Sequence, residues 1–205
     1  MDVHLRLRRG LQMVMVGMLL SCLPYVSYLL VLGVDFLPYA LVGSGTILQL
    51  LPWAGMAGFA LLVGGLYQCL KAPPESDSRN LLLFAGATLV ALRFVAIPSV
   101  RMGPLGWLIP PLNLAVDLAL LLALCRLAVY YRRRDLLGSF FVGAGLALIQ
   151  TLIALPLSVG WLAGLTTALL LLTIGCVALS TVLVSVAVGR LAVSAGEGPP
   201  REDFL

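Results

Sequence analysis

The sequence predicts an all-α fold, a polytopic bundle of six transmembrane helices paired as three hairpins, with both termini cytoplasmic. Three observations predict it. The first is composition: 61% of the 205 residues are hydrophobic and 11% charged, with a mean hydropathy of +1.08, whereas a soluble domain carries roughly 25% charged residues. The second is that the apolar residues gather into six stretches of about 20, the length that crosses a hydrocarbon core of roughly 30 Å. The third is the asymmetry of basic residues along the chain. In lipid every backbone amide must be paired, and no stretch shows the alternation of a barrel strand, so the spans are read as helices.

The first span runs from about Leu11 to Gly33, after Arg6, Arg8 and Arg9. The Arg-rich opening and Leu19-Leu20-Ser21-Cys22 resemble a secretory signal. The apolar run continues well past Cys22, however, beyond the roughly 7–15 residues of a signal core, and an uncleaved helix is expected. The second span, about Thr46 to Leu70, contains Pro52 and the small-residue patch Ala54-Gly-Met-Ala-Gly58. It reads as a kinked helix that a neighbour approaches closely, rather than as a broken one. The polar segment Lys71–Arg79 then makes a cytoplasmic loop.

The third span, about Leu81 to Ile97, carries Arg93 near its outer end. The fourth, about Trp107 to Tyr131, carries Asn113 and Asp117 one helical turn apart on one face. The turn Arg132-Arg-Arg-Asp135 leads into the fifth, about Leu136 to Leu155, which carries Gln150. The sixth begins at Trp161 and stays apolar to Val193, 33 residues. That is about 50 Å of helix, too much for one crossing, so it either projects from the bilayer or breaks near Gly189. A projecting apolar end needs a cover. Residues 1–193 therefore read as one membrane domain and 194–205 as a disordered cytoplasmic tail.

With the N-terminus inside, eleven of the 13 basic residues fall on the cytoplasmic side, leaving Arg93 and Arg101 in the outer half. Positive residues are retained in the cytoplasm, which sets the orientation. Arg far outnumbers Lys beside abundant Leu, Ala and Gly, which suits a GC-rich bacterium and its inner membrane. The net charge of +4 is answered by anionic headgroups at the helix ends, with no nucleic acid required. Trp53, Trp107 and Trp161 recur at intervals of 54 residues. Indole anchors at each outer hairpin explain this more simply than a decayed triplication does.

Ionisable groups inside a span cost a few kcal/mol and nominate sites by default. Arg93, Asn113, Asp117 and Gln150 are accordingly the candidate ligand-binding residues, in a polar pocket in the outer half of the bilayer. Thr151, Thr166, Thr167, Tyr25 and Tyr28 lie at similar depth. A structural Arg93–Asp117 pair locking the third helix to the fourth is the plainer alternative. No catalytic, cofactor or metal residues are nominated. His4 is the single histidine, the four cysteines form no C-x-x-C, and no phosphate loop or acidic metal motif is present. An enzyme is not expected; the weakest surviving option is a lipid-modifying enzyme built on Asp117. The leading expectation is a non-catalytic membrane subunit that packs against a partner membrane protein or copies of itself. Next comes a small-solute transporter or substrate-binding membrane subunit that uses the pocket.

Overall fold

A computed structural model describes the backbone of residues 3–33, 45–95, 108–158 and 166–197. Side chains at 24–33, 45–49, 51–52, 93–95, 157–158 and 166–167 lie outside the description. The described residues form six long helices, with short turns between the second and third and between the fourth and fifth and no strand among them: α1 (Val3–Gly33), α2 (Gly45–Cys69), α3 (Arg79–Val95), α4 (Ile109–Tyr130), α5 (Leu137–Ser158) and α6 (Thr166–Glu197). Each coincides with one of the apolar stretches.

Two ends differ from expectation. α1 starts at Val3, so the Arg6–Arg9 segment and His4 belong to the helix. α6 runs unbroken through Gly189 to Glu197, which makes residues 194–197 helical instead of tail. Residues 198–205 lie outside the description, as do Arg101, Trp107 and Trp161.

The two differences have one cause. The helices form a ring in chain order, each packed on the next, and α6 closes it against α1. With 31 and 32 residues, α1 and α6 are each about 46–48 Å long, and both overshoot at the same end. There the backbone of Gly196 lies under Arg8, where an added Cβ would come 2.7 Å from Arg8 Cδ, and Gly189 sits against the Met15 sulfur. The apolar end of α6 that needed a cover is covered by the start of α1. Leu7, Leu11, Leu191, Ala192 and Ala195 are buried together in this overlap.

α1 and α2 approach closer still. A Cβ on Gly10 would meet the Gly65 carbonyl oxygen at 3.0 Å, and one on Gly65 would meet the Val14 nitrogen at 2.7 Å. Two turns along, Gly17 and Gly58 repeat the arrangement. Small residues seven apart on both helices thus let two antiparallel backbones touch, which is how helices associate where lipid removes the hydrophobic drive.

The core is concentrated at one end. Leu7, Leu82, Leu127, Leu136, Phe140 and Leu191, from five helices and the turn before α5, are buried to 2% exposure or less. Each lies within about three turns of the end where Arg79, Arg126, Arg132, Arg133, Arg134 and Arg190 gather, here called the basic end. The turns there are well tied. In the α2–α3 turn the Ser76 hydroxyl donates to the Pro73 carbonyl at 2.8 Å, and Asp77, left-handed at φ 47°, pairs with Arg126 of α4. In the α4–α5 turn Arg133 donates two hydrogen bonds to Asp135, at 2.9 and 2.8 Å, and a third to the Ser194 hydroxyl of α6 at 2.7 Å. His4 Nδ1 lies 3.0 Å from the Tyr131 hydroxyl, joining the start of α1 to the end of α4.

The outer surface of the ring is apolar. Leu19, Trp53, Phe84, Leu122, Phe141 and Leu179, one per helix, are all exposed. An apolar face this continuous belongs in lipid. Three stretches, Ile109–Tyr130, Arg134–Pro156 and Ala168–Glu197, are long and apolar enough to cross a membrane, and Trp53–Cys69 and Arg79–Leu92 are shorter apolar helices. The chain is a helical membrane protein.

Candidate functional site

Above the packed end the interior of the ring is not filled. A cavity of about 270 Å³ occupies its axis, and all six helices line it. Its floor is aliphatic, made by Leu62 and Leu66 of α2, Ala85 and Leu89 of α3, Leu120 and Leu121 of α4, and Val184 of α6. Away from the floor the lining turns polar. Asn113 and Asp117 come from α4, Gln150 from α5, Ser21 and Cys22 from α1, and Ser180 and Thr181 from α6.

The placement follows from helix register. On α4, Asn113, Val116, Asp117, Leu120 and Leu121 fall on one face by the three-and-four spacing of a helix, and that face turns inward. Asp117 is eight residues from Ile109, about 12 Å along the axis from the end opposite the basic one. On α5, Ala147 and Gln150 share the inward face while Leu148, Ile149 and Leu152 look outward.

Several polar groups in the spans are satisfied by backbone. The Thr151 hydroxyl donates to the Ala147 carbonyl at 2.9 Å, Thr173 to Leu169 at 2.8 Å, and Ser180 across to Gly143 of α5 at 3.4 Å. Such bonds cost the chain nothing and ask for no ligand. Asn113, Asp117 and Gln150 differ. None has a hydrogen bond or ion pair among the described residues; Asp117 and Gln150 are half-buried, Asn113 is exposed, and all three border the open cavity. Three polar side chains that no described residue satisfies thus face one space.

Of the four nominated residues, the structure therefore brings Asn113, Asp117 and Gln150 together. Arg93 stands on α3 one turn beyond Leu89, and its side chain lies outside the description, as do those of Tyr25, Tyr28, Thr166 and Thr167. Sequence reasoning missed Ser21, Cys22, Ser180 and Thr181. The adjacent Ser180-Thr181, a polar step in the long apolar run of α6, was the available signal. Ser21 offered none, since a lone serine in a span is ordinarily a packing residue.

At the basic end the electrostatics are those of a surface. Hydrogen bonds from Arg133 hold the Asp135 carboxyl below its ordinary range, and the same contacts raise the Arg133 guanidinium. The Lys71 ammonium sits 5.9 Å above the Tyr67 ring. The chain matches no protein-family model, no curated protein and no solved structure, so a functional reading rests on these residues alone.

Proposed function

We propose that this is a six-span membrane protein, with both ends in the cytoplasm of a bacterial cell, that binds a small polar solute in the axial cavity as a transporter or as the solute-binding subunit of one. The observation that carries the reading is the convergence of Asn113, Asp117 and Gln150, all unpartnered among the described residues, on one cavity with an aliphatic floor. A bundle selected only for packing would fill that volume with aliphatic side chains, as the basic end is filled. An uncompensated carboxyl in a span costs a few kcal/mol, a cost that a bound solute can offset. The 270 Å³ suits a small solute, near the lower end of ligand pockets.

Native mass spectrometry of the protein in mild detergent from its own host tests this. A retained small molecule that disappears in Asp117→Asn is expected. A bare monomer that gains no stability from any of a panel of amino acids, amines, sugars and carboxylates counts against it.

The alternative of a subunit acting through helix packing has one specific observation in its favour. Gly138 and Gly145 lie seven apart on the exposed side of α5, with open space where a side chain would be. This is the spacing by which α1 grips α2. A homo-oligomer or a stoichiometric second protein, dissociated by Gly145→Leu, would support that reading.

A further inference from the structure

The chemistry of the cavity narrows what it can hold. A solute bound there meets a carboxylate and two carboxamides at the polar side, Asp117, Asn113 and Gln150, and hydrocarbon at the floor. Each of the three offers an oxygen acceptor. A primary ammonium group carries three N–H donors and one positive charge, so it can engage all three acceptors and neutralise the carboxylate. A carboxylate or phosphate would bring its own negative charge into a site of low dielectric with no cation among the described lining residues to pair it, which is strongly unfavourable. A neutral polyol would waste the aliphatic floor.

Empty, the same site has one inexpensive state, with a proton on Asp117. Of the side chains that face Asp117 across the cavity, the Cys22 thiol on α1 is the other titratable group among the described residues. The lining from α2, α5 and α6 (Leu62, Leu66, Gln150, Ser180, Thr181) brings no charge. α3 contributes Ala85 and Leu89 and carries Arg93 one turn farther on.

Building on the solute-binding reading, we infer that the cavity binds a small primary ammonium ion with an apolar body and exchanges it for a proton on Asp117. In the exchange the Asp117 O–H bond breaks, the proton leaves to water, and the ammonium N–H groups take its place at the carboxylate oxygens. No covalent bond to the solute forms, and the charge in the cavity is the same before and after. The protein thereby couples ammonium entry to proton release.

The test uses the full chain in lipid nanodiscs and three probes of nearly equal shape: benzylammonium, benzyl alcohol and benzoate. Benzylammonium is expected to raise the melting temperature. Its apparent affinity should rise about tenfold per pH unit on the acid side, as one proton is displaced per ion bound, and one proton should appear in weakly buffered solution for each ion. Asp117→Asn, shown to be folded by circular dichroism, should lose the response, and Gln150→Leu should weaken it without abolishing the pH dependence. Binding of benzyl alcohol or benzoate in place of the cation, cation binding independent of pH, or cation binding that survives Asp117→Asn, overturns the inference while leaving a solute cavity standing. Binding of none of the three, together with no retained solute in the native protein, overturns the inference and the reading beneath it.

Discussion

Gly17 and Gly58 meet backbone to backbone: a Cβ on Gly17 would lie 2.8 Å from the Gly58 carbonyl oxygen, and a Cβ on Gly58 would lie 2.9 Å from that of Gly17. Backbone atoms, the Ser21 and Leu62 nitrogens at 2.6 Å, stand nearest at both contacts, so turning the Ser21 hydroxyl aside would not relieve the strain of a larger residue. Gly58→Ala is expected to destabilise the protein by about 1–3 kcal/mol, the range for overpacking a filled interface, and Gly17→Leu by more. Gly145→Ala, where nothing lies within 4 Å, should be neutral within about 0.5 kcal/mol. Thermal unfolding of the three variants in one detergent separates them. Equal behaviour would mean that α1 and α2 do not pack this closely.

The Gly17–Gly58 contact also marks where sequence reading stopped. The number, order and approximate limits of the helices were legible because a run of twenty apolar residues has few alternatives in physics. Small residues around Gly58 were visible as an invitation to close approach, but the partner was not. Pairing requires knowing that Gly10 and Gly17 on α1 face Gly65 and Gly58 on α2, and glycine has no side chain to declare a face. The overshoot of α6 was legible as an excess of length. Its cover by α1 was hidden because Arg6, Arg8 and Arg9 made the opening look like a polar stub, whereas a long arginine stem can lie along an apolar helix, as that of Arg8 lies over Gly196. Asn113, Asp117 and Gln150 stood out as polar residues at depth. Ser21 and Thr181 did not, since hydroxyls in spans are ordinarily satisfied by their own helices, as Thr151 is.

The bond between His4 and the Tyr131 hydroxyl ties the first turn of α1 to the end of α4 across the ring. Tyr131→Phe keeps the ring and removes the hydroxyl, and a loss of about 0.5–1.5 kcal/mol is expected for one such bond. The effect should be local: amide exchange should quicken in the first two turns of α1 and stay unchanged around the cavity. Uniform quickening would show that the basic end unfolds as one piece with the rest.

Arg133 pairs with Asp135 inside the α4–α5 turn and joins that turn to α6 through Ser194. Because Asp135 is held below its ordinary carboxylate value, the pair stabilises the folded state above about pH 4, the unfolded value. That contribution fades as pH falls through the lower folded value. The stability difference between the native protein and Asp135→Asn should therefore be small, present at neutral pH, and gone in acid. Arg133→Ala should cost more than Asp135→Asn at neutral pH, since it also removes the Ser194 bond. A difference that grows in acid would contradict the pairing.

Asp117 and Arg93 offer the sharpest choice between a binding site and a structural lock. If the two side chains lock α3 to α4, breaking either should cost several kcal/mol, because a charge is left uncompensated in a span, and the double variant should recover much of the loss. If Asp117 instead serves a solute, Asp117→Asn removes a carboxyl that has no partner among the described residues. Stability should then hold or rise slightly while binding is lost. Arg93→Gln should act additively with it, within about 0.5 kcal/mol. The cycle of Asp117→Asn, Arg93→Gln and the double variant, measured both by unfolding and by benzylammonium binding, is expected to show additive stabilities. Loss of binding should follow Asp117→Asn alone. A large coupling energy, with both single variants destabilised and the double restored, would make the carboxylate a strut of the bundle and leave the cavity without its charge.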